Sequence, residues 1–133
     1  MAKPAKIVLG QRPKNFPHVV VARLLSGEEG MIPLRYKYRT RTEFGEFVDS
    51  LLSAADVKLS GETTEAVEFS LAQAMERLRD QNADYLLQVI DSWELEAELN
   101  LANLQQLCDE MPGMAMKAMS DYRAAITEGR LGN

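Results

Sequence analysis

A chain of 133 residues with a formal net charge of −5, one histidine and one cysteine has room for a single core, and too few soft ligands for a zinc site or an internal disulfide. Its 46% apolar and 26% charged content is that of an ordinary globular domain and argues against wholesale disorder. The longest unbroken apolar stretch, Val19 to Ala22, falls far short of a membrane span, and the basic N-terminus lacks the apolar block of a secretory signal. A soluble intracellular protein is the expectation.

The charge changes sign along the chain. Residues 1–41 carry nine Lys/Arg against two Asp/Glu, whereas residues 42–133 carry six against eighteen. The apolar period lengthens at the same place, from strand-like to helical. The composition therefore reads as one α+β domain over 1–133. A basic β region over 1–40, an N-terminal β-hairpin or small antiparallel sheet, precedes an acidic region of four or five helices over 41–128, and a tail over 129–133 frays. Such a split favours docking to other proteins over small-molecule chemistry.

Lys6 to Leu9 is short and β-like, and Phe16-Pro17 restricts the following backbone to extended forms. His18 to Leu25 and Met31 to Tyr38 flank a turn with two glycines, which is the strongest hairpin signal. Ile32, Leu34, Tyr36 and Tyr38 take one side of the second strand and Pro33, Arg35, Lys37 and Arg39 the other; Pro33 predicts an edge position, where a missing N–H goes unnoticed. Thr40 with Glu43 is a capping box opening a helix from Arg41 to about Ala54, whose Phe44 and Phe47 should lie on the inner face of the hairpin. Residues 55–63 read as a connector. Val67, Leu71, Met75 and Leu78 then share a face whose phase continues through Asn82, Tyr85, Leu86, Val89 and Trp93, predicting one long bent helix or two. Asn100 caps a further helix with Leu99 as its staple, Pro112 starts the last one, and Gly129 ends it in the left-handed conformation.

No cofactor motif is present. Gly27, Gly30 and Gly45 lack the spacing of a phosphate loop, and the acidic residues lack the order of a calcium loop. Cys108 falls on an apolar helical face with Leu101, Leu104, Leu107 and Met111, as a small buried hydrophobe rather than a nucleophile. With no paired acid and base, an enzyme is disfavoured. Two surfaces remain as candidate binding sites. Arg35, Lys37 and Arg39 form a row about 7 Å apart along a strand, continued by Arg41; nucleic acid is a disfavoured partner for it, because the chain is acidic overall and no aromatics interleave the row. The Met-rich segment Met111, Met114, Met116 and Met119 suits an adaptable apolar groove, with Tyr85 or Trp93 as anchors if exposed.

Several stretches together resemble the tail assembly chaperones of long non-contractile-tailed bacteriophages or prophages. They are Lys6-Ile-Val-Leu-Gly-Gln-Arg-Pro-Lys14, Lys37-Tyr-Arg-Thr-Arg-Thr-Glu-Phe-Gly45, Ala83-Asp-Tyr85 with Trp93, Asn103-Leu-Gln-Gln-Leu107 with Pro112, and Tyr122-Arg-Ala-Ala with Gly129-Arg-Leu-Gly-Asn133. The resemblance implies a non-enzymatic assembly factor of the host cytoplasm, not retained in the mature virion. It would bind the tape-measure protein, keep it soluble and help recruit the major tail protein, the last mainly through a longer product of a −1 ribosomal frameshift. Leu131-Gly132-Asn133 is compatible with a slippery heptamer in the gene. Partner contacts are expected at Arg35, Lys37, Arg39, Arg41, Tyr85, Met114, Met116 and Met119, and the charge split also allows a homo-oligomer. A small nucleic-acid-associated regulator and a structural tail adaptor or completion protein are the alternatives.

Overall fold

The computed structural model describes residues 4–60 and 71–129, the side chains of 52–60 excepted. Strands β1 (Asn15–Arg23) and β2 (Glu29–Lys37) form the hairpin, and β3 (Ile90–Trp93) joins on the far side of β2, so the antiparallel order is β1-β2-β3. Helices α1 (Arg41–Ser60), α2 (Leu71–Val89), α3 (Leu101–Glu110) and α4 (Pro112–Glu128) complete the described residues. The α+β architecture expected from the period change is therefore present.

The hairpin turns where glycine makes it easy. Gly27 has φ 91, a region open to residues without a Cβ, and Leu24 N donates to Glu28 O at 2.8 Å. Because Tyr38 N likewise donates to Lys14 O, the even-numbered residues of both strands bond to each other across the hairpin. Their side chains form the inner face: Val20, Ile32, Leu34 and Tyr36 are buried.

Pro33 is a correction. It lies in the central strand, not an edge. Its C=O accepts from Glu94 N at 2.9 Å, just past the end of β3. A strand residue points its N–H and C=O the same way, so the missing donor faces the rim of β3 and the hairpin ladder is untouched. β3 itself overrides the helical phase expected through Trp93. Val89 and Ile90 are both buried, and a short apolar run reads equally as helix or strand. The open side of β2 decides in favour of strand, pairing Leu34 with Trp93 and Tyr36 with Ile90.

α1 begins as the capping box predicts: Glu43 N donates to Thr40 Oγ1 at 3.2 Å, and Thr40 N to Glu43 Oε1 at 2.9 Å. It continues beyond Ala54 to Ser60, through residues 55–60 of the expected connector, because nothing between Glu46 and Ser60 is proline or glycine. Residues 61–63 and Val67 lie outside the described residues. α2 is a single helix through the polar run at 79–82. Asn100 caps α3 by accepting from Asn103 N at 2.9 Å, Pro112 opens α4, and Gly129 closes it at φ 72. Lys6 to Leu9 forms no strand.

α4 packs against β1 and against α2 and α3. Tyr122 is the hub of this layer, with ring centroids of Tyr36, Phe44, Phe16 and Tyr85 at 5.0, 5.8, 6.4 and 6.5 Å. Phe44 therefore meets α4 and Phe47 meets Tyr85 of α2 at 5.2 Å. That replaces the expected seat on the hairpin's inner face, which α4 already occupies.

Candidate functional site

The four basic residues do not form one row. Arg35 and Lys37 are exposed on the outer face of β2, and Arg35 Nε donates to Asn15 Oδ1 at 2.8 Å. β2 ends at Lys37. Beyond it Arg39 turns inward: Nη1 donates to Tyr122 Oη at 3.0 Å, Nη2 to Gln88 O at 3.1 Å, and the guanidinium stacks 4.4 Å from the Phe47 ring centroid. Its fork joins the segment after β2 to α1, α2 and α4, a structural task. Arg41 is the exposed first residue of α1.

The methionines divide similarly. Met114 is only 4% exposed and belongs to the core, Met119 is half-buried against it, and Met116 is 56% exposed on the opposite side of α4. Tyr85 is half-buried between Phe47 and Tyr122, and burial pushes its hydroxyl up to about 12. Trp93 packs against the core, and its indole donates to Ala97 O at 2.8 Å. Cys108 is buried, which pushes its thiol up to about 11 and keeps it protonated at neutral pH.

The structure adds two features, a partner for His18 and the exposure of an apolar face. His18, the one histidine of the sequence, lies with its Nε2 2.8 Å from Asp121 Oδ2, both side chains nearly buried. Lys117 Nζ lies 2.5 Å from the other carboxylate oxygen. The parity His18 shares with Phe16 and Val20 shows that it faces inward; its partner, about a hundred residues on, is set by the packing of α4. The second feature is an apolar stripe on the first half of α2. Leu71, Met75 and Leu78 are 75%, 53% and 48% exposed, although their spacing predicts a core-facing side. The stripe was legible in the sequence and its exposure was not, since periodicity identifies an apolar face without saying what covers it.

A hollow of about 400 Å³ lies between Pro13, Phe16, Tyr38, Arg39, Ile126 and Gly129, without a paired acid and base. Among the described residues no group of three His, Cys, Asp or Glu could hold a metal ion, and no helix is long and apolar enough to cross a membrane. What the described surface offers is exposed apolar area, on the first two turns of α2, where residues 71–76 are all exposed, and on the outer face of the hairpin. A family model described as phage tail assembly chaperone matches residues 1–133, and the chain belongs to that family. No curated protein and no solved structure matches it.

Proposed function

We propose that the chain binds the tape-measure protein during tail assembly, keeps its helices soluble and helps bring the major tail protein to it. The observation that carries this reading is the stripe of Leu71, Met75 and Leu78 on α2. Residues at i, i+4 and i+7 lie on one side of a helix, at the spacing by which a second amphipathic helix seats its own apolar seam. Met75 adds a side chain that adapts to irregular partners. Met116 and Met111, both exposed, extend the candidate surface to α4 and its entry, whereas Met114 belongs to the core and Arg39 clamps α1, α2 and α4 together.

The reading places the protein in the host cytoplasm and outside the finished particle, with the major tail protein recruited mainly through a frameshifted longer product. Nucleotides encoding Leu131-Gly132-Asn133 should then contain a slippery heptamer. Co-expression tests the main claim: the tape-measure protein should move from the insoluble to the soluble fraction when this chain is present. An unchanged distribution would contradict it, and recovery of the chain in stoichiometric amounts from purified particles would favour a structural tail subunit instead.

A further inference from the structure

We infer that β1 is the centre of a two-fold interface, at which a second copy of this chain pairs antiparallel with its outer edge. The even-numbered residues of β1 spend their backbone groups on β2. The odd-numbered ones therefore direct theirs outward, and no described residue bonds to the N–H or C=O of Val19 or Val21. An unpaired row of this kind is a template for another strand. Pro17 and Arg23 guard its two ends, and at the centre of the five residues between them stand three β-branched ones, Val19, Val20 and Val21. The opposite edge of the sheet differs. β3 is four residues long, carries Asp91 with Glu94 just beyond, and breaks register at Arg35/Tyr36, three devices that discourage pairing.

Side chains and charges select the occupant. On the outer face Val21 stands opposite Met31 and Val19 opposite Pro33; Val19, Val21 and Met31 are exposed. A two-fold axis at Val19 would extend this patch across both copies as one apolar strip. In that register Val19 faces Val19 of the second copy, Val21 faces Pro17 and Arg23 faces Asn15, so no like charges meet and only Pro17 fails to donate. The hairpin also carries unequal charge along its length: Glu28 and Glu29 outnumber Arg23 at the tip, where Arg23 stands opposite Glu29, and Lys14, Arg35 and Lys37 outnumber Asp91 at the base. Antiparallel pairing sets Arg23 of each copy beside the uncharged Asn15 of the other, with the net-negative tip alongside the net-positive base. A six-stranded sheet with both α4 helices on one side follows. This arrangement is closed, unlike the head-to-tail association that the charge split alone suggests.

Sedimentation of the full chain, with variants at Val19, tests the assignment. The wild type should sediment at twice the chain mass. Val19→Lys sets two ammonium groups face to face at the axis and should weaken the dimer about tenfold or more. Val19→Pro removes the central donors while sparing the hairpin ladder and should do the same. Val19→Cys should cross-link to a dimer on mild oxidation, since paired strands bring facing Cα atoms to about 5.5 Å, within disulfide reach; the wild type, with Cys108 buried, should not. If the proline variant fails to fold, the lysine and cysteine variants give the answer. A wild type that stays monomeric at about 100 μM, or any assembly that Val19→Lys leaves unchanged, would overturn the interface.

Discussion

Tyr122 shows how much one side chain of α4 holds in place. Its hydroxyl donates to Lys37 O at 3.0 Å and accepts from Arg39 at 3.0 Å, tying the end of β2 to the core, and burial pushes its pKa upward. Tyr122→Phe keeps the rings packed but orphans that carbonyl and guanidinium, and should cost about 1–3 kcal/mol in denaturant unfolding. Cys108 offers a second test. With the thiol raised to about 11, a thiol reagent at neutral pH should modify the native chain slowly and the unfolded chain at once. The cap of α1 supplies a pH test. Glu43 accepts from Thr40 N and pairs with Arg12, which together hold its carboxyl below the usual range. A lowered folded pKa favours folding above the unfolded value, so the cap's contribution should be intact at neutral pH and lost as pH falls through the folded value. Helicity followed by circular dichroism should show that loss in the wild type. Glu43→Gln should abolish it, whereas Thr40→Ala, which should itself cost about 1 kcal/mol, keeps the Thr40 amide and should leave most of it.

At the scale of elements, the described half of α1 is held chiefly by Phe44 on Tyr122 and Phe47 between Tyr85 and Arg39. Phe47→Ala should therefore cost about 3–5 kcal/mol, measurable as a lowered denaturation midpoint with an unchanged slope. The hairpin, the caps at Thr40 and Asn100, the proline start of α4 and its glycine stop were all legible, because each rests on chemistry within a few residues. The features that were not legible depend on distant partners. Ile90–Trp93 became a strand because β2 had an open side, Pro33 became central for the same reason, and His18 found Asp121 only once α4 crossed β1. Arg39 is the instructive case among the candidate site residues. Its alternation with Arg35 and Lys37 is real in the sequence, but the strand stops two residues earlier and the half-buried side chain bends over Phe47 to Tyr122 and Gln88.

For the whole molecule, the division between a rigid centre and apolar surfaces carries the functional account. Aromatic rings from β1, β2, α1, α2 and α4 converge on Tyr122, while Leu71, Met75 and Leu78 on α2 and Val19, Val21 and Met31 on the sheet face outward. Residues exposed in this way contribute little to folding, so Leu71→Asp with Leu78→Asp should change stability by only about 0.5 kcal/mol per site. Their effect belongs to the partner. The decisive measurement is the recovery of tape-measure protein bound to affinity-tagged chain after co-expression, comparing the wild type with that double variant. The account predicts that the wild type retains the tape-measure protein and the equally stable variant loses most of it. Equal retention by both, or retention by neither, would contradict the claim that this chain works by lending the exposed side of α2 to a helical partner.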